Sequence, residues 1–148
     1  MNEILPLEIF YIYFSPYTSH MIELDGVVYP TVEHAYQCKR YTDKKIIDEI
    51  LIARSPVKAW EISSRYKHLQ IEEFKDKEYK YETMKKLMKL KALQHEEVRK
   101  ALLDSGSLQI VKRIVTYPPG DGYWDIGEDG KGLNKIGQIW MEIREELK

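Results

Sequence analysis

The hydrophobic positions change period along the chain, and the changes mark the predicted elements. Ile9 to Phe14 is a run of aromatic and β-branched residues between Pro6 and Pro16, which predicts a buried strand. Met21–Leu24 and Val27–Tyr29 are short apolar runs separated by Asp25-Gly26, a strong hairpin signal because Gly26 accepts positive φ. Pro30-Thr31 then opens a helix with Thr31 as its N-cap. Tyr41-Thr42-Asp43 interrupts, and an amphipathic segment follows to about Ala53. Ser55-Pro56 starts another helix, the proline standing where a missing N–H costs nothing, and this helix is expected to run to about Ser64.

A long charged helical pattern covers Glu72 to Gln94, with Phe74, Tyr81, Met84, Met88 and Lys91 at three- and four-residue steps. A further helix from about Glu96 is expected to end at Gly106. Leu108 to Val115 alternates like a strand, Tyr117 to Gly122 breaks all periodicity, and Asn134 to Leu147 is an amphipathic helix. These elements predict an α+β fold: one compact helix-rich domain spanning residues 1–148, with a small N-terminal β section.

Composition narrows the function classes. A length of 148 residues suits one domain, and a formal net charge of −1 supports no whole-surface attraction to nucleic acid or anionic membrane. Cys38 is the only cysteine, so no internal disulfide can form and the usual thiolate zinc site cannot be assembled. His20, His34, His68 and His95 show no ligand spacing, so no metal is expected. The N-terminus has neither a basic leader nor an apolar run of the roughly 18 residues a span needs, and a cytoplasmic location is expected.

Two segments carry candidate chemistry, and the active site is expected to combine them. Glu33 alone would read as an ordinary carboxylate favoured by the helix dipole, a role worth about 0.3–1 kcal/mol. At about 100° per residue, however, it shares a face with Tyr36, Gln37 and Arg40. That combination suits a site wall better than a solvated stripe. The other segment runs from Gly122 to Asn134. Its glycines, Gly127 among them, permit sharp turns and close approach of a ligand. Trp124 offers a stacking face, Asp125, Glu128 and Asp129 offer carboxylates, and the helix start at Asn134 offers N–H groups to a phosphate. Lys39, Lys91 and Arg99 are candidate phosphate or sugar contacts, with Lys91 expected to point inward. Neither a phosphate loop, a dinucleotide fingerprint nor a nucleophile elbow is present.

In matching order, Leu24-Asp25-Gly26, Tyr29-Pro30-Thr31-Val32-Glu33-His34, Gln37, Lys39, Ser55-Pro56, Lys91, Tyr123 to Gly127, Gly130, Gly132, Asn134 and Met141 to Arg144 resemble the NADAR family, which includes the YbiA-like proteins. The likeness runs from about Phe14 to the C-terminus. It implies a helix-rich α+β domain and an N-glycosidase. The implied substrates are small and nucleotide-like: ribosylaminopyrimidine 5′-phosphates of early riboflavin synthesis, or ADP-ribosylated guanine, including guanine within nucleic acid. No cofactor, metal or membrane partner is implied. Glu33 then matches the active-site glutamate, Trp124 the site tryptophan, and Asp129 or Asp125 the loop carboxylate. Lys39, Lys91 and Asn134 match positions carrying those residue types. On this basis Glu33, Asp129 and Lys39 are the expected catalytic residues. Trp124, Lys91, Asn134, Gly127, Gln37 and Asp125 are the expected substrate contacts. The chain departs from the family pattern at Phe74, Ala92 and Asp125, around the base pocket. The rival expectation is a non-catalytic module binding ADP-ribose or an NAD-type nucleotide through Trp124 and the glycine loop, with no need of Glu33.

Overall fold

The computed structural model describes residues 8–10, 12–113 and 120–148. Its described residues are mostly helical with a few short strands, an α+β protein. They group into two compact units, Ser15–Glu96 and, with the described part of Met1–Phe14, Glu97–Lys148.

In the Ser15–Glu96 unit, strands β2 (Ile22–Leu24) and β3 (Val27–Tyr29) pair antiparallel. Asp25 and Gly26 join them at φ 53° and 80°, and positive φ at both positions is what a type I′ hairpin turn demands. Helix α1 (Val32–Cys38) follows, its N-cap made by Thr31 Oγ1 accepting from His34 N. Such a cap is worth about 1 kcal/mol. Every residue of α1 is buried, because α2 (Lys44–Leu51), α3 (Pro56–Arg65) and α4 (Lys77–Gln94) all pack against it. Asp43 and Ser55 cap α2 and α3, and Pro56 stands in the first turn of α3.

The long charged pattern is not one helix. A 3-10 turn covers Glu72–Lys75, and Asp76 takes extended angles before α4. The Asp76 carboxylate accepts from Glu78 N and Tyr79 N, so the best capping residue in the segment imposes a new start there. Phe74, expected on the helical stripe, instead lies fully buried in the 3-10 turn.

In the other unit, β1 (Glu8–Ile9) pairs parallel with β4 (Gln109–Ile110). Both are shorter than their apolar runs. The expected strand Ile9–Phe14 turns into a 3-10 segment at Ile12–Phe14, where Ile12 is 73% exposed while Phe14 is buried. A ladder needs a partner at every step, and here pairing extends over two residues only. Tyr11, Ile114, Val115 and the break at Tyr117 to Pro119 lie outside the described residues.

Helix α5 (Glu96–Asp104) leads to Gly106 at φ 61°, the left-handed stop expected there. Helix α6 (Lys135–Glu146) buries Ile136, Ile139, Trp140 and Ile143. Trp140 packs on Phe14 with ring centroids 5.2 Å apart, and its Nε1 donates to Phe14 O at 2.8 Å. Arg144 donates from Nη1 to Ser105 Oγ and Leu108 O, both at 2.9 Å, tying α6 to the end of α5. Gly137 sits so close to β4 that an added Cβ would stand 2.0 Å from Ile110 O.

Candidate functional site

Helix α1 presents its polar groups inside a buried environment. Glu33 is 5% exposed, and its Oε1 accepts from Gln37 Nε2 at 2.8 Å, one helical turn on. Its backbone N–H donates to Pro16 O at 3.1 Å, which fixes the Ser15–Thr18 segment beside the helix start. His34 is held at both nitrogens: the Thr31 hydroxyl lies 2.8 Å from Nδ1, and Nε2 lies 2.9 Å from Ala53 O. The carbonyl can only accept, so Nε2 carries the proton and Nδ1 accepts from Thr31. Burial lowers the pKa of His34 and keeps it neutral.

Tyr36, Arg40 and Phe74 form a stacked group. The Arg40 guanidinium lies 5.0 Å from the Tyr36 ring centre and 4.9 Å from that of Phe74, and Nη1 donates to Gln70 Oε1 at 2.9 Å. The face expected on α1 therefore divides into two pairs, Glu33 with Gln37 and Tyr36 with Arg40. Lys39 is the half-buried residue that closes α1.

Lys91 is fully buried on α4. Its ammonium donates to Ser15 O at 2.7 Å and to Thr18 Oγ1 at 2.6 Å. The inward orientation is as expected, but a phosphate contact does not fit, because the amine is sealed from solvent and directed at protein acceptors. Burial lowers its pKa to about 7.

The glycine loop, described within its own unit, is knitted by main-chain bonds. Asp125 is 3% exposed, and its Oδ1 accepts from Gly122 N at 3.1 Å and Gly127 N at 2.8 Å. This carboxylate is a fastener of the loop. Asp129 is exposed, with Oδ1 accepting from Lys131 N at 2.9 Å. Trp124 is half-buried and stands edge-on to Tyr123, ring centroids 4.8 Å apart. Gly127 takes φ 71°, which a side chain would strain, and Gly132 passes so near Ile126 that a Cβ would lie 2.5 Å from its carbonyl carbon.

The expected phosphate seat at the start of α6 is overturned. The N–H groups of Asn134, Lys135 and Ile136 donate to the carbonyls of Asp125, Tyr123 and Trp124. Asn134 itself is left-handed at φ 53° and does not cap the helix with its side chain. Its Nδ2 donates to Ile110 O and its Oδ1 accepts from Lys112 N, so it clamps the loop to β4.

The model of the NADAR domain family matches residues 8–148, running through both units. The chain belongs to the NADAR domain family. N-glycosidase YbiA of Escherichia coli (strain K12) is 34% identical over 135 residues, covering 90% of this chain and 80% of that protein. A riboflavin biosynthesis protein of Vibrio vulnificus (strain YJ016) is 29% identical over 127 residues, covering 86% of this chain and 33% of its own. The NMR structure of the Escherichia coli protein YbiA matches with a TM-score of 0.82 and 30% identity, over 98% of this chain and 87% of that one.

Within this NADAR chain, the segment Ser15–Thr18 beside Lys91 was not singled out from the sequence, whereas Arg40 was, on the face of Glu33. Arg40 had a signal, its helical spacing from Glu33. Ser15 and Thr18 had none, since they meet Lys91 across more than seventy residues of chain. Among the described residues, no group of three metal-capable side chains occurs, and no helix is long and apolar enough to cross a membrane.

Proposed function

We propose that this chain is an N-glycosidase hydrolysing a ribosyl–nitrogen bond, in ribosylaminopyrimidine phosphates of riboflavin synthesis or in ADP-ribosylated guanine. The observation carrying the reading is the buried Glu33 carboxylate, oriented by the Gln37 amide at a rigid helix start, in a chain of the NADAR family. Cleaving such a bond passes through a cation-like sugar, which needs negative charge near C1′, an activated water and a proton for the departing nitrogen. Glu33 activates the water and stabilises the cation, while Gln37 holds its carboxylate in place. In the glycine loop Trp124 stacks on the base, and Asp129 orients the ribose hydroxyls or assists proton transfer. Asp125 is assigned to the scaffold, because two loop N–H groups already occupy its carboxylate oxygen. Lys39 takes the phosphate role, which Lys91 and the start of α6 do not fit.

Lowering of the Lys91 pKa to about 7 favours a second route. A ring-opened ribosylamine is an imine at C1′. Neutral Lys91 would add there and expel the pyrimidine amine, and water would then hydrolyse the lysine imine, restoring the amine and releasing the sugar aldehyde. This route requires the Ser15–Thr18 segment to move off Nζ. Borohydride in the presence of substrate decides between the routes: a reduced adduct on Lys91 supports the imine, and its absence rejects it.

The governing test is release of free base from a ribosylaminopyrimidine phosphate and from ADP-ribosylated guanine, assayed side by side. Turnover of either one supports the hydrolase and names its substrate. Binding of both without release would make the chain a nucleotide-binding module instead.

A further inference from the structure

A run of polar contacts leads outward from the buried Lys91 amine. Nζ donates to Thr18 Oγ1 at 2.6 Å, and the same oxygen lies 2.6 Å from His20 Nδ1. The His20 ring stands edge-on to His95, centroids 5.0 Å apart, and His95 Nε2 donates to Met21 O at 2.6 Å. Lys91 is fully buried, whereas both imidazoles are half-exposed. The Thr18 hydroxyl thus links the buried amine to a half-exposed imidazole.

The donors and acceptors fix how this chain works. An ammonium can only donate, so the Thr18 oxygen accepts from Lys91, which leaves its own proton available for His20 Nδ1. In the tautomer that carries its proton on Nε2, Nδ1 accepts that bond. Protonating His20 turns Nδ1 into a second donor facing the same oxygen. The hydroxyl proton loses its partner and the oxygen faces two cations, so charge on the imidazole and charge on the amine oppose one another.

We propose that Thr18 and His20 are positioning residues for the Lys91 amine, the Thr18 hydroxyl coupling the two bases so that a proton gained by the imidazole disfavours the proton on the amine. Burial brings Lys91 to about 7, so the amine changes charge inside the pH range over which the coupling is measured. The other charged or titratable groups on elements packed against α4 include Glu33, His34, Tyr36 and Cys38 on α1, Glu23 on β2, and Glu72, Glu73 and Lys75 in the 3-10 turn, with His95 beside His20 at the end of α4. They set a background that substitutions at Thr18 or His20 leave in place, so their effect cancels between wild type and variant. The consequence for turnover rests on the imine route above, because only that route uses a neutral Lys91. The coupling itself is measured without substrate.

The test follows lysine Cε and histidine Cε1 signals of the full chain by NMR, from about pH 5 to about pH 9. Wild-type Lys91 is expected to titrate in two steps, one tracking His20. His20→Ala should leave a single step with its midpoint raised by about one pH unit, the competing cation being gone. Thr18→Val should abolish the step that tracks His20, and Thr18→Ser should keep it, which covers any disturbance of folding by valine. A single Lys91 curve unmoved by His20→Ala would overturn the proposal, as would Thr18→Ser behaving like Thr18→Val. Base release assayed in parallel separates the readings. Absent turnover removes the hydrolase and leaves the titration to judge the coupling.

Discussion

Helix α1 and the glycine loop each hold acidic side chains in place, and they do so by opposite means. In α1 the helix, Pro16 and the Thr31 cap satisfy the backbone of the first turns, so the other side chains are left to position one another. Gln37 is thereby available to hold the Glu33 carboxylate. In the loop the backbone has no regular ladder, and side chains are consumed in satisfying it. Asp125 takes two N–H groups, and Asn134 takes a carbonyl and an N–H. In α1 a side-chain amide thus orients the carboxylate, whereas in the loop a carboxylate such as Asp125 serves the backbone.

The sharpest way to break this contrast is Glu33→Gln. The amide keeps the shape and a bond to Gln37 but removes the charge. Base release should fall by at least ~10²-fold, as expected for an acid–base group, with the melting temperature little changed. Near-normal release would return Glu33 to a purely structural role and remove the helix side of the comparison.

The next effect is on stability and belongs to the loop's clamp. Gly137→Ala would set a methyl 2.0 Å from Ile110 O and 2.3 Å from Asn134 Nδ2. Neither β4 nor the clamp can yield cheaply, so denaturant titration should show a loss of about 3 kcal/mol, at the upper end for overpacking. An unchanged midpoint would mean that α6 slides freely along β4. That would deny the loop its rigid base.

The two loop aspartates then offer an internal control. Asp125→Ala strips two loop N–H groups of their acceptor and should cost about 2 kcal/mol in the same titration. Asp129→Ala, at an exposed position, should move stability by no more than about 0.5 kcal/mol while lowering base release. Reversal of this pattern, with Asp129 needed for folding and Asp125 for turnover, would exchange their assigned roles.

The same contrast explains what could be read in the sequence. The hairpin, the helix starts at Thr31 and Ser55, and the stop at Gly106 follow from the local chemistry of single residues, and all of them are present. The burial of α1 was legible because its apolar neighbours announced it. Strand lengths were not, since β1 and β4 end where a distant partner ends. Nor was the break at Asp76, where a capping residue outweighed an unbroken helical period. Asn134 shows the limit best. Its position before an amphipathic helix suggested an anion seat, but its side chain is committed to Ile110 and Lys112, more than twenty residues earlier. Long-range backbone demand leaves no local signature.

The smallest expected effect returns to α1 and concerns His34. Burial holds its pKa below the ordinary imidazole value, with Thr31 donating to Nδ1 and Ala53 O accepting from Nε2. The unfolded chain, titrating near ~6.5, therefore gains its proton first as the pH falls. The contribution of neutral His34 to stability is full above that pH and is lost as pH falls through the folded value. His34→Gln carries no such proton, so its unfolding free energy should decline less than that of wild type between about pH 7.5 and about pH 5. Parallel declines would show that His34 keeps the same proton affinity folded and unfolded. The buried polar network of α1 would then be looser than the pairing of Glu33 with Gln37 requires.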